Sequence, residues 1–94
     1  MKIKGIVWLE QVIEKLERKH GVSQDEVREV LANSPHFRFV EKGYRRGEDV
    51  YSALGRTDSG RRLIVFFVRK SGGRALIVSA RGMSASERRM YEQR

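Results

Sequence analysis

The pattern of apolar and polar positions begins with a short strand and a helix. Apolar and basic residues mix in the segment 3–8, which predicts a short first strand that ends at an aromatic residue. Val12, Ile13 and Leu16 then recur at helical spacing, with charged residues between them. Gly21 follows as a helix-ending residue. The pattern therefore predicts one amphipathic helix directly after the first strand.

A second helix is predicted to start at Ser23. Glu26 stands three residues later, and this spacing is that of a capping box, in which the hydroxyl and the carboxylate each bond to the other residue's backbone N–H. Apolar residues within 27–31 form the buried stripe, and Pro35 lies beyond the helix end.

From His36 onward the pattern changes to that of strands. Residues 36–39 alternate, a charged turn covers 42–47, and strand-like runs cover 50–54, 63–68 and 75–78. The run 63–68 is apolar at every position, which predicts a central strand covered on both faces, or on one face and part of the other. Short turns join these runs, so they are expected to pair as antiparallel hairpins.

A last helix is predicted after Ser84, because Glu87 repeats the capping-box spacing. The predicted order is β-α-α-β-β-β-(β)-α, an α+β fold with an antiparallel sheet packed by helices. No repeat, linker or low-complexity segment interrupts it, so we expect one domain over residues 1–94.

The charge of the chain is concentrated in its second half. The formal net charge is +8, and residues 56–94 hold ten Lys and Arg against three Asp and Glu, whereas residues 1–55 hold ten against nine. Because these cations alternate with strand segments, they favour a shaped surface for a polyanion such as RNA. The alternative is a solvated basic surface.

Composition excludes several other classes of protein. The chain has no Cys, so it has neither a disulfide framework nor a thiol nucleophile, and its two histidines are far apart in sequence. We expect no metal site and no cofactor. No apolar run approaches a membrane span and no signal peptide is recognisable, so the protein is expected to be soluble and cytoplasmic.

Arginines cluster at the predicted strand ends. If 63–68 and 75–78 form a hairpin, Arg61, Arg62 and Arg81 meet at one end of it, and Arg69 lies near its turn. Arg88 and Arg89 on the last helix are expected to join the first group. Each of these cations has an alternative interpretation as a surface residue paired with Asp or Glu.

Arginine suits phosphate because its planar guanidinium donates two parallel hydrogen bonds and stays charged. RNA carries its own nucleophile, the 2′-hydroxyl, so a protein without a metal can cleave it by alignment and charge stabilisation. Trp8 is a candidate for base stacking, with a core position as the alternative. The candidates for proton transfer, each with a structural alternative, are Lys19, His20, Glu48, Tyr51 and Tyr91.

Five segments together resemble the BrnT family of type II toxins, from Trp8 to Tyr91. In chain order they are Lys19-His20-Gly21-Val22-Ser23, Gly47-Glu48 followed by Tyr51, Gly60-Arg61-Arg62-Leu63, Ser79-Ala80-Arg81, and Glu87-Arg88 followed by Tyr91. The resemblance implies a RelE-like fold, metal-independent cleavage of RNA, and inhibition by a co-expressed BrnA-like antitoxin with a ribbon-helix-helix part. It implies phosphate contacts by Arg61, Arg81 and Arg88, with Lys19, His20, Glu48 and Tyr91 in proton transfer or positioning.

Three hypotheses follow. The first is a toxin endoribonuclease that inhibits translation and forms a hetero-oligomer with its antitoxin. The second is a non-catalytic module whose basic face binds nucleic acid or protein. The third is a protein whose basic face is occupied mainly by an acidic antitoxin, in an association that charge would make fast and salt-dependent.

Overall fold

A computed structural model describes residues 1–93 and has the predicted α+β order. The strands are β1 (Gly5–Val7), β2 (His36–Glu41), β3 (Val50–Arg56), β4 (Arg62–Lys70) and β5 (Arg74–Gly82). The helices are α1 (Glu10–Lys15), which continues as a π-helical turn (Leu16–His20), α2 (Gln24–Ala32) and α3 (Ala85–Glu92).

Both predicted capping boxes are present. The Glu26 N–H donates to Ser23 Oγ at 3.1 Å, and the Ser23 N–H donates to Glu26 Oε1 at 3.0 Å. Ser84 and Glu87 make the same exchange at 3.2 and 2.8 Å. Gly21 ends the π-helical turn in the left-handed region, with φ of 60°, a conformation that carries little cost for glycine. Local sequence signals therefore define where α2 and α3 begin.

The five strands form one sheet in the order β1-β5-β4-β3-β2, so β4 is central as predicted. The pairs β2–β3, β3–β4 and β4–β5 are antiparallel hairpins. The pair β1–β5 is parallel, in contrast to the expected antiparallel sheet. Gly5 stands opposite Arg74, because β5 leaves the Ser71–Gly73 turn at the end of the sheet where β1 begins.

Both faces of β4 are apolar, and helices cover them unequally. Leu63, Val65 and Phe67 are fully buried in the larger core together with residues of α2 and the π-helical turn. Ile64 faces the opposite side, where Leu54 and Tyr91 bury it. An eight-residue helix such as α3 spans about 12 Å, whereas nine strand residues span about 30 Å. The prediction of one covered face and one partly covered face is therefore confirmed.

Aromatic side chains fill the larger core near β2. The Phe37 ring meets the Phe67 ring edge-on at a centroid distance of 6.0 Å, and the Tyr51 ring stacks on Phe67 at 6.0 Å. These contacts agree with the structural interpretation of Tyr51 as a packing residue.

Gly55 allows α2 to approach β3 closely, and Gly55→Ala should destabilise the fold. An added methyl group would lie 3.1 Å from Val30 Cγ1 and 3.3 Å from Pro35 Cβ. We expect a loss of about 1 to 3 kcal/mol in the free energy of unfolding, measured by urea denaturation. Gly82→Ala is the control, since its added methyl group would have no atom of residues 1–93 within 4 Å apart from its chain neighbours. Equal effects of the two substitutions would contradict this account.

Candidate active site

The arginines at the strand ends lie on two faces of the sheet. Arg81 stands opposite Ile64 in the β4–β5 register, and Arg62 precedes Ile64 by two residues, so both face α3. Arg61 contacts the π-helical turn through the His20 carbonyl oxygen, and α2 through Glu26, on the other side. The expected cluster of Arg61, Arg62 and Arg81 is therefore not formed, because neighbouring residues at a strand end point to opposite faces.

Arg61 holds the loop between the first two helices. Its guanidinium donates to the carbonyl oxygens of Gly21 at 2.7 Å and His20 at 3.1 Å, and to both carboxylate oxygens of Glu26 at 3.2 Å. Burial alone would raise the pKa of Glu26, but the Ser23 backbone N–H and the Arg61 guanidinium together lower it below its ordinary value. Arg61 thus joins the β3–β4 turn to the start of α2.

Lys19 and His20 lie at the end of the π-helical turn, on the α2 side of the sheet. The Lys19 side chain is exposed and His20 is half-buried. Their position separates them from Arg62 and Arg81 by the thickness of the sheet. The candidate arginine on their side is Arg61, which binds the His20 carbonyl oxygen.

An open groove lies between α3 and the ends of β2, β3 and β4, with a volume of about 510 Å³. We call it the α3 groove, and it is lined by His36, Arg56, Arg62, Tyr91 and Glu92. Strand register builds it, since His36 stands opposite Leu54 and Arg56 opposite Arg62 on one face. The groove brings an imidazole, two guanidiniums and a phenol to one place.

Three lining residues of the α3 groove, His36, Arg56 and Glu92, were not among the sequence candidates. His36 and Arg56 lie twenty residues apart, and the β2–β3 hairpin brings their strand ends together. The predicted hairpin was the signal that pointed to this proximity. Its register, which decides that both side chains face α3, was not readable from the pattern.

Within the groove, Arg62 meets a carboxylate of α3. Arg62 Nε lies 2.7 Å from Glu92 Oε1, but the contact lacks hydrogen-bond alignment and leaves Nε without a hydrogen-bond partner among the described residues. The Glu92 side chain is 49% exposed. An ion pair of this kind contributes little to stability, so an incoming phosphate can replace the carboxylate.

Arg81 lies beside the groove and forms a two-pronged pair with Glu87, at 2.8 and 3.0 Å. Its guanidinium carbon lies 5.6 Å from the centroid of the Phe66 ring. The hydrogen bonds from Arg81, opposed in part by burial and aided by the Ser84 N–H, lower the pKa of Glu87 to about 2. Glu87 in turn raises the pKa of Arg81. The pair is fully charged at neutral pH.

Arg88 and Arg89 lie on the outer side of α3. Both are exposed and line a shallow depression with Met83, Ala85 and Glu92. Neither forms an ion pair within residues 1–93. Because the helix turns its Glu87 and Tyr91 side toward the sheet, Arg88 and Arg89 do not join Arg81 on the inner side.

Glu48 lies at the opposite end of the β3–β4 ladder, where it pairs with Lys70. The Lys70 hydrogen bond lowers the pKa of Glu48, so this carboxylate is a weak base. Arg69 is exposed at the same end. The structure therefore does not bring Glu48 or Arg69 to the α3 groove.

Trp8 packs against the larger core after β1, and its indole N–H is buried without a partner in residues 1–93. This position agrees with the structural alternative for Trp8. The part of the chain that the structure describes has no group of three His, Cys, Asp or Glu side chains arranged to hold a metal ion. Over the same residues, no helix is long and apolar enough to cross a membrane.

Comparisons with known proteins bear on the fold and on the family of the chain. A crystal structure of the Brucella abortus ribonuclease toxin BrnT superposes with a TM-score of 0.64 at 19% sequence identity, covering 88% of this chain and 99% of that one. At this identity the similarity establishes the fold. The family described as "Ribonuclease toxin, BrnT, of type II toxin-antitoxin system" matches residues 8–87. No curated protein matched the chain.

The chain belongs to the BrnT family of ribonuclease toxins. Membership confirms the resemblance inferred from the sequence motifs. The family implies two partners, an RNA substrate and an antitoxin.

The Arg81–Glu87 pair should make stability depend on acid pH. Because the pKa of Glu87 is about 2 in the folded protein and 4.5 ordinarily, its ionisation stabilises the fold above pH 4.5 and this contribution disappears as the pH falls to about 2. Screening at a partly exposed pair limits the contribution to about 1 kcal/mol.

The variant Glu87→Gln keeps the shape and a capping oxygen but removes the charge. Urea unfolding should show wild type more stable than the variant at neutral pH and the two equal near pH 2. A difference that stays constant with pH would show that the pair does not stabilise through charge.

Proposed function

We propose that this toxin is a metal-independent endoribonuclease that cleaves RNA through the 2′-hydroxyl and uses the α3 groove as its active site. The observation that carries the proposal is the convergence of His36, Arg56, Arg62 and Tyr91 in one open groove. Cleavage by the 2′-hydroxyl needs an aligned phosphate, stabilisation of its developing charge, and groups that move two protons. The groove offers two guanidiniums for the phosphate and its charge, and an imidazole and a phenol for the two proton transfers.

The two guanidiniums in the groove would hold the scissile phosphate. Arg56 has no ion-pair or hydrogen-bond partner for its side chain among residues 1–93, and Arg62 has only the exposed Glu92. Each guanidinium can donate two parallel hydrogen bonds to phosphate oxygens. Charge that builds on the phosphorane during the in-line attack is then stabilised by these two cations, without a metal ion.

His36 is the best-placed group for proton transfer. It is half-buried at the first position of β2, where the β-ladder fixes its backbone opposite Leu54. An imidazole nitrogen can accept a proton, so the His36 side chain would take the proton of the 2′-hydroxyl. Tyr91 is 6% exposed and packs on Leu54 and Ile64, which fixes its ring at the wall of the groove, where its hydroxyl would give a proton to the departing 5′-oxygen.

The other sequence candidates lie outside the α3 groove, and some of them would support it from its surroundings. Arg81 flanks the groove and holds α3 through Glu87, and Arg61 orders the His20–Gly21 backbone. Arg88 and Arg89 offer charge on the outer side of α3. Lys19, His20 and Glu48 lie outside the α3 groove, so the proposal assigns them no part in the chemical step.

Within the cell, this activity would make the protein a cytoplasmic toxin that inhibits translation by cutting RNA. Its partner would be a BrnA-like antitoxin with a ribbon-helix-helix part, bound in a hetero-oligomer. The net charge of +8 supports fast association with both RNA and an acidic segment of the antitoxin.

Purified protein should cleave RNA in the presence of EDTA and leave 2′,3′-cyclic phosphate ends. His36→Asn should lower the cleavage rate about 10² to 10⁴-fold, and Arg56→Gln about 10² to 10³-fold. Arg45→Gln, which removes an equal charge from the exposed β2–β3 loop, is the control and should cleave like wild type. Equal rates for all four proteins would exclude the α3 groove as the active site. RNA binding without cleavage would favour the non-catalytic alternative.

An RNA with a 2′-deoxy nucleotide at the cleaved position tests the nucleophile directly. Because the attacking oxygen is missing, the substituted RNA should bind with unchanged affinity and stay intact. Gel analysis of the products and a competition binding assay measure the two quantities. Cleavage of the substituted RNA at the same bond would mean that water is the nucleophile.

A further inference from the structure

A second group of cations surrounds the Ser71–Gly73 turn, at the end of the sheet opposite the α3 groove. Lys4 donates its backbone N–H to the Gly73 carbonyl at 2.8 Å, and Gly5 stands opposite Arg74. Arg69 precedes the turn on β4 and lies on the α2 face of the sheet, whereas Arg74, opposite Lys70, lies on the α3 face, so the cations flank the end of the sheet on both sides. We call Lys2, Lys4, Arg69 and Arg74 the distal basic patch, since all four side chains are exposed.

The carboxylates of the neighbourhood do not neutralise this patch. Glu48 is paired with Lys70, and Asp49 Oδ1 accepts a hydrogen bond from the Gly43 N–H. Glu41 lies at the end of β2, which is two strands from β4 and further from β5 and β1. Within residues 1–93, the four side chains of the distal basic patch form no ion pair or hydrogen bond.

Between the patch and the α3 groove runs a strip of sheet that α3 leaves uncovered. Phe66 and Val68 of β4 face this side and are half-exposed, and Leu76 of β5 is opposite Val68. Arg74, opposite Lys70, ends the strip on the same face. Aromatic and apolar side chains between cations are the features that bind single-stranded nucleic acid through stacking and phosphate contact.

We propose that the distal basic patch is a second RNA-binding site, which holds the phosphate backbone of a strand that leaves the α3 groove along this strip. Arg62 and Arg74 face the same side of the sheet, and the eight β4 steps from Arg62 to Lys70, the partner of Arg74, span about 26 Å. A stacked strand advances about 3.4 Å per nucleotide, so about eight nucleotides reach from one site to the other. The inference rests on the proposed function, because it takes the α3 groove as the site of cleavage.

RNAs of different length distinguish the contribution of the distal basic patch from that of the α3 groove. The variant Lys4→Gln, Arg69→Gln, Arg74→Gln should cleave a tetranucleotide like wild type, because this substrate ends before the patch. An RNA of about thirty nucleotides is much longer than the distance between the two sites. For this RNA, the KM of the variant should rise about tenfold with kcat unchanged. The slope of log affinity against log salt should fall by about 2, or about 0.7 for each lost phosphate contact.

The control is Arg18→Gln, Arg45→Gln, Arg46→Gln, which removes the same charge from exposed positions outside the patch and the groove. It should leave both substrates unaffected. Three results would each overturn the proposal: equal loss on both RNA lengths, no loss on either, or the same loss in the control. Intact RNA cleavage with lost neutralisation by the antitoxin would assign the patch to a protein partner instead.

Binding of an uncleavable 2′-O-methyl RNA keeps the inference distinct from the proposed function. If wild type cuts no RNA, the proposed function fails. The affinity of the patch variant for long and short 2′-O-methyl RNA still shows whether the distal basic patch binds RNA. If variant and wild type bind the long RNA with equal affinity, the distal basic patch is not an RNA-binding site, even where cleavage is intact.

Discussion

The burial of β4 on both faces is the constraint on which the rest of the structure depends. Leu63, Val65 and Phe67 need cover on one side and Ile64 on the other, so helices must pack on both faces of the sheet. The pair α1 and α2 covers the first side. A single short helix, α3, is left for the second side, so the second face is less completely buried than the first.

On the α3 side, the cover is incomplete and leaves part of the sheet face open. The helix buries Leu54 and Ile64 through Tyr91, and its carboxylates meet Arg62 and Arg81 at the end of the sheet. The remainder of that face is open, so the α3 groove and the half-exposed strip beyond it adjoin each other. The active site proposed there would combine a rigid floor of paired strands with side chains that solvent and substrate can reach.

The arginines that share one sequence signal have different physical tasks. Arg61 is bound by two carbonyl oxygens and Glu26, so its donors are engaged by the fold itself. Arg81 is paired symmetrically with Glu87, whereas the Arg56 side chain has no partner among the described residues. Only the last kind of arginine can bind a phosphate without first losing a protein contact.

The sequence by itself determined the order of the elements, the two capping boxes, the central place of 63–68 and the family, because each depends on local pattern or on motifs in chain order. The tertiary structure alone decided the parallel β1–β5 pair and the separation of Arg61 from Arg81. It also decided the meeting of His36 with Arg56 and Arg62. The reason is that strand register and direction set the face of each side chain, and a shift of one residue reverses that face.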